Sequence, residues 1–177
     1  MSKLNNIDLF LMHSPHGPEI RKETWEAMQY LLKNKYVKAI GVSNFGIHHI
    51  KEILLWAEIG PCMNQIELSP FLQRRGLSNF CKEEGIATTA YSPLTHGIRI
   101  HDERLMEIGK VYRKSTAQIL IKWSLQKDNV VIPKSTNKER IKENIEVFDF
   151  TIEQKHMKIL DVLEEGFATC WDPTIDP

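Results

Sequence analysis

Val130-Val131-Ile132-Pro133-Lys134-Ser135 closes the fifth of five strand and helix alternations, and its reading decides the fold. Three β-branched apolar residues make a short buried strand, and Pro133 ends it. Lys134 and Ser135 then stand just past the carboxyl end, ahead of a helix expected over residues 138–145. Working back, the same layout recurs four times. Strands are expected at residues 7–12, 39–42, 63–68 and 87–91, the third alternating in part, with Asn64, Gln65 and Glu67 polar, and the fourth less apolar for its Thr88 and Thr89. The first is an unbroken apolar run after Asp8, of the kind that parallel buried strands show.

Helical spacing fills the intervals. Trp25, Met28, Leu31 and Leu32 share one face of a helix over about residues 22–35. Ile47, Ile50, Ile53, Leu54 and Ala57 form the apolar side of the next, which Gly60-Pro61 closes. A short helix is expected near residues 77–84, and two more near 103–111 and 115–126, the second opening on Ser115 or Thr116 as N-cap. The last helix is expected at residues 152–163, capped by Thr151, and the tail around Trp171-Asp172-Pro173 reads as irregular.

Strands separated by helices imply a parallel sheet with right-handed crossovers, since parallel neighbours need a long connection. No GxGxxG follows any strand, which disfavours a Rossmann reading. The fold class expected is therefore α/β, a (β/α)8 TIM-barrel type in a single domain. The 177 residues fall about a third short of the roughly 250 typical of that barrel. In such barrels active residues stand at the carboxyl ends of strands. His13, Ser43, Asn44, Gln65, Tyr91 and Lys134 all lie at or near such ends.

Lys+Arg and Asp+Glu both number 23, so zero formal charge gives no long-range pull towards nucleic acid or an anionic membrane. Apolar runs are strand-sized, far below the roughly 20 residues of a membrane span. The opening Met-Ser-Lys-Leu-Asn-Asn lacks the apolar stretch of a signal peptide, and a cytoplasmic location is expected. Cys62, Cys81 and Cys170 are odd in number and form no CxxC pair, so reduced thiols are expected.

Lys134, Ser135 and Arg140 combine a point charge, a hydroxyl and a planar guanidinium around a helix start, a setting suited to phosphate. The competing reading is a solvated helix face. Ser43, Asn44 and Gln65 offer hydroxyl and amide groups, but Ser43-Asn44 also reads as a helix N-cap. Tyr91 at a strand end reads equally as core. His13 and His16 form an H-x-x-H, yet no Cys/His cluster accompanies it, which disfavours metal.

Five segments in order resemble the aldo-keto reductase family: Leu11-Met12-His13-Ser14-Pro15, Gly41-Val42-Ser43-Asn44-Phe45, Asn64-Gln65-Ile66-Glu67, Ala90-Tyr91-Ser92-Pro93-Leu94, and Ile132-Pro133-Lys134-Ser135 leading to Arg140-Ile141-Lys142-Glu143-Asn144. The resemblance implies an NADP(H) site. Ser43, Asn44 and Gln65 would fix the nicotinamide carboxamide, and Tyr91 would stack under the ring. Ser92 and Leu94 match the pyrophosphate side, although Thr95-His96-Gly97 replaces the usual continuation. Lys134, Ser135 and Arg140 would grip the adenosine 2′-phosphate, and Glu143 and Asn144 match the adenine side. His13 matches the histidine that orients a substrate carbonyl, with a small-molecule aldehyde or ketone as the implied substrate. Trp171 would line the substrate pocket or simply pack across the barrel mouth.

The resemblance also implies a departure. The family's catalytic Asp, Tyr and Lys precede the segment matching Leu11 to Pro15, and the residues before it here contain no Tyr. The expected architecture is thus a barrel truncated to about its last five strand-helix units, with open edges that invite self-association. Three readings remain open at this point: a carbonyl reductase by descent that needs the remaining strands, a catalytically inactive NADP(H)-binding or regulatory relative, and an interaction fragment without a nucleotide site.

Overall fold

The computed structural model describes residues 7–176. Its strands are β1 (Phe10–Met12), β2 (Ile40–Ser43), β3 (Met63–Glu67), β4 (Ala87–Tyr91) and β5 (Val130–Val131). The helices are α1 (Pro18–Lys33), α2 (Ile47–Trp56), α3 (Arg75–Glu83), α4 (Glu103–Tyr112), α5 (Thr116–Leu125), α6 (Lys138–Ile145) and α7 (Gln154–Asp161). Strand order follows chain order. Phe10 pairs with Ile40, Ser43 with Gln65 and Thr89 with Val130, all in parallel, so helical crossovers join the strands as expected. No helix among the described residues is long and apolar enough to cross a membrane.

The described chain forms two compact units, one of residues 7–66, 76–88 and 172–176, the other of residues 67–75 and 89–171. In the first, Trp25, Ile40, Val42, Phe45, Ile50, Ile53 and Ile66 are buried. The β2–β3 pairing leaves no room at Gly41, where a Cβ would lie 2.7 Å from the Met63 carbonyl oxygen and 2.8 Å from Leu11 Cδ2. Helix α1 begins four residues before the expected start at 22, because Pro18 already holds a helical φ at the first turn. That turn also buries Arg21, whose Nε donates to Pro15 O at 2.8 Å and whose Nη2 donates to His16 O at 2.9 Å. Glu52 pairs with the same guanidinium.

Strand β1 is shorter than the expected 7–12. Ile7 keeps only an isolated bridge to Val37, and Asp8 turns out to Lys38 Nζ at 2.6 Å. At the other end of this unit the turn at Pro173–Ile175 lies over the start of α2. A Cβ on Gly46 would meet Thr174 O at 2.0 Å, and both His48 Nε2 and His49 Nε2 donate to Asp176 O, at 2.7 and 2.8 Å.

The second unit closes on a cluster of Phe71, Leu105, Ile108, Ile119, Leu120, Trp123, Met157 and Leu160, supplied mainly by α4, α5 and α7. Ser115 caps α5 as expected, accepting from Gln118 N at 3.3 Å while Gln118 Oε1 accepts from Ser115 N at 3.0 Å. Asp102 caps α4, accepting from Arg104 N at 3.0 Å and pairing with Arg104 Nη2 at 2.6 Å. The hydrogen bond from the Arg104 side chain holds the Asp102 carboxyl below its ordinary value.

Helix α7 corrects the expected 152–163 span and its Thr151 cap. It starts at Gln154 with Glu153 as N-cap. The reason is long-range: Ile152 N donates to Gln126 Oε1 at 2.7 Å and Gln126 Nε2 donates to Ile152 O at 3.0 Å, so Ile152 is spent on a side chain of α5's C-cap.

Two outcomes test this account. Gln126→Ala leaves the buried Ile152 backbone without its partners and should cost about 1–3 kcal/mol in urea unfolding. A loss below about 0.5 kcal/mol would show the clamp to be incidental. Because the Asp102 carboxyl is depressed, its ionic contribution is present above the ordinary carboxylate value of 3.8 and fades as pH falls through the lower folded value. Asn is as good a cap as Asp, so the stability gap between wild type and Asp102→Asn should shrink as pH falls below about 4. A pH-independent gap in thermal melts would contradict that assignment.

Candidate functional site

In the first unit the ends of β1, β2 and β3 bring four of the expected residues together. Ser43 ends β2, and its Oγ donates to Gln65 O at 2.8 Å. The Asn44 backbone N–H donates to the same carbonyl at 2.9 Å, and Asn44 Nδ2 donates to His13 O at 3.0 Å. Asn44 has φ 63, a left-handed conformation that Asn accepts far better than most residues. This geometry removes the N-cap alternative for Ser43-Asn44. Helix α2 is capped at Gly46, whose N–H donates to His49 Nδ1 at 2.9 Å, and Ser43 is occupied across the sheet. The Ser43 hydroxyl can still accept a hydrogen bond. The Gln65 side-chain amide is half-buried and has no hydrogen-bond partner among the described residues. His13 is exposed just past β1.

The second unit holds a cavity of about 790 Å³. Ser92, Leu94, Lys134, Ser135, Arg140, Glu143 and Asn144, all expected from the sequence, line it. Lys134 and Ser135 reach it from the turn after β5, where Pro133 ends the strand. Ser135 Oγ accepts from Asn137 N at 3.2 Å, and Asn137 caps α6 by accepting from Arg140 N at 3.0 Å. Helix α6 therefore begins beside Lys134 and places Arg140, Glu143 and Asn144 on the wall at helical spacing. Lys134 and Arg140 form no ion pair with a described carboxylate, which leaves two cations with an unanswered charge. Asn144 is only 8% exposed, and its amide has no hydrogen-bond partner among the described residues. That amide is open to the cavity and can hydrogen-bond to what enters it.

The opposite wall was not fully legible. Ser115 and Thr116, at the first turn of α5, line the cavity together with His96 and His101. Their sequence signal was the N-cap, which says where a helix starts and not what it faces. The loop after β4 is tightly bent: Ser92, Thr95 and His96 have φ between 46 and 52. Tyr91 is half-buried at the end of β4 and is not on the cavity wall; Trp171 is 65% exposed.

The sequence profile of the Aldo/keto reductase family matches residues 2–165. The chain belongs to the aldo/keto reductase family. It is 45% identical to an uncharacterized oxidoreductase of Schizosaccharomyces pombe over 98% of its own length and 63% of that protein. It is 42% identical to the glyoxal reductase of Bacillus subtilis, over 92% and 59%. A crystal structure of a Bombyx mori aldo-keto reductase in complex with NADP superposes with TM-score 0.87 at 32% identity, covering 94% of this chain and 60% of that one. The chain thus spans about three fifths of the relatives it matches.

The left-handed residue at the end of β2 gives a direct test of the first unit. Asn44→Gly keeps the φ but loses the amide bond to His13 O, whereas Asn44→Ala loses the bond and adds left-handed strain of about 1–2 kcal/mol. Chemical denaturation should therefore rank wild type above Gly and Gly above Ala. Equal stability of the Gly and Ala variants would contradict the strain assigned to this position.

Proposed function

We propose that this chain is an NADP(H)-binding aldo-keto reductase-family oxidoreductase whose own residues hold the cofactor, with small aldehydes or ketones as the substrate class. The observation that carries the proposal is the second-unit cavity, where two cations and a hydroxyl gather at the start of α6 and the Asn144 amide stands further along the same helix. Its volume lies within the roughly 300–1,000 Å³ of cofactor and small-molecule sites. Lys134, Ser135 and Arg140 suit a phosphate monoester, which a 2′-phosphorylated adenosine carries and its unphosphorylated counterpart does not. Glu143 and Asn144 offer an acceptor and an amide to an adenine edge, and Ser92 and Leu94 the pyrophosphate side. In the first unit, Ser43, Asn44 and Gln65 suit a carboxamide, since Gln65 keeps both amide donors and its acceptor available. We assign Tyr91 to ring stacking, His13 to orienting a carbonyl oxygen and Trp171 to the substrate side.

The cofactor, when bound, supplies a hydride; the chain must supply position and a proton. His13 is the one candidate we assign to the carbonyl. The order of the five matching segments leads us to read the five strand-helix units as the last five of a single barrel domain. The cavity favours an NADP(H)-binding member of the family, whether a reductase or a catalytically inactive relative, over a fragment without a nucleotide site. A cytoplasmic location and self-association through the outer edges of β1 and β5, the two end strands of the order, complete the proposal.

Titration with NADPH, read by tryptophan fluorescence with NADH alongside, tests it. Saturable binding that prefers NADPH is expected, and Arg140→Ala should weaken NADPH about tenfold or more while leaving NADH nearly unchanged, the loss of one charge-assisted contact of about 1.4 kcal/mol. Equal binding of the two cofactors, or an equal effect of the substitution on both, would overturn the 2′-phosphate assignment.

A further inference from the structure

Cys170, His96 and Ser92 converge in the second unit in a way that cofactor binding does not require. The Cys170 sulfur lies 3.6 Å from His96 Nε2 and 3.9 Å from Ser92 Oγ, and that hydroxyl lies 2.9 Å from the same ring nitrogen. Ser92 and His96 both line the cavity. The backbone that carries the thiol is fastened. Glu67, 2% exposed at the end of β3, accepts from Thr169 N at 2.8 Å and Cys170 N at 3.2 Å, and also from the Thr169 hydroxyl. The imidazole is fixed from the other side by a bend in which Ser92, Thr95 and His96 are all left-handed. Cys170 nevertheless remains exposed.

The two other thiols lack this setting. Cys81 is fully buried beside Asn64 Nδ2 at 3.9 Å, and burial pushes its thiol up. Cys62 is exposed and free, but it has no hydrogen bond to an imidazole among the described residues, and partial desolvation raises its thiol too. An imidazole within hydrogen-bond reach of an exposed thiol is the arrangement that activates a sulfur nucleophile.

The geometry points to Cys170 as a thiol–disulfide exchange site for a low-molecular-weight disulfide, with His96 as its base. His96 Nε2 takes the thiol proton, and Cys170 Sγ attacks one sulfur of the disulfide. A new S–S bond forms as the reagent's own S–S bond breaks, and the departing thiolate recovers the proton from the imidazolium. Cys170 is oxidised to a mixed disulfide and the departing half is reduced, so no further oxidant is needed. Ser92 Oγ accepts from Nε2–H while the imidazole is charged. The adduct stands against Ser92 and His96 on the cavity wall and obstructs what enters there. On the cofactor reading above, on which this last step rests, that is NADP(H).

Incubation with oxidised glutathione, followed by peptide mass spectrometry at each cysteine, decides the matter. Cys170 should be modified at least tenfold faster than Cys62. His96→Asn, which tolerates the left-handed φ, should slow Cys170 about tenfold and leave the Cys62 rate as it was, which also reports an intact fold. Equal rates at Cys170 and Cys62 in the wild type, or an unchanged Cys170 rate in the variant, would overturn the proposal. NADPH titration before and after modification separates the two readings. Affinity lost on modification supports obstruction, and affinity unchanged by it overturns obstruction. Absence of binding even before modification overturns the cofactor reading and leaves the thiol chemistry to the rate comparison.

Discussion

Gln65 O accepts two hydrogen bonds, from Ser43 Oγ and from the Asn44 backbone, and this double acceptance sets the geometry of the first unit's site. It fixes the register of β2 on β3 and turns the chain left-handed at Asn44. The Asn44 side chain is thereby aimed at the carbonyl of His13. Three strand ends are thus tied to one another before any ligand is present, which is the preorganisation that a cofactor site requires. Gly41 permits the close approach of β2 to Met63 that makes the register attainable. The Arg21–Glu52 pair adds a second tie, holding the Pro15 and His16 carbonyls just after His13.

The second unit reaches a comparable result by helix starts. Asn137 at α6 and Ser115 at α5 cap helices whose first turns both line the cavity. Amide N–H groups at a helix start favour an anion, and the cations of Lys134 and Arg140 reinforce that preference. Neither cation forms an ion pair with a described carboxylate, and they share the wall with Glu143, although the chain as a whole has no net charge. Net charge therefore says little about this site, while the placement of two residues says much.

Where local rules governed, the sequence reading held to the residue. Strand β4 and helix α6 fall at 87–91 and 138–145 as expected, and at α6 the signals, Pro133 and the Asn137 cap, act over a few residues. Where a distant partner intervened, it did not. Ile152 reads as the first turn of a helix until Gln126, 26 residues earlier, occupies its backbone. Ser43-Asn44 reads as an N-cap until Gln65 appears across the sheet. Arg21 and His49 are both buried, a placement that no local pattern signals, since each satisfies carbonyls brought near by the fold. Arg140, Glu143 and Asn144, which the family resemblance points to, line the cavity, whereas Ser115, Thr116 and His96 on its wall could not be placed by spacing alone.

The central claim is that the cavity beside α6 receives the 2′-phosphate of NADP(H). A crystal structure of the chain grown with NADP answers it most directly. The account predicts the phosphate oxygens within hydrogen-bond distance, about 2.7–3.2 Å, of Lys134 Nζ, Ser135 Oγ and the Arg140 guanidinium. Cofactor density with the 2′-phosphate in solvent, away from all three side chains, would contradict it.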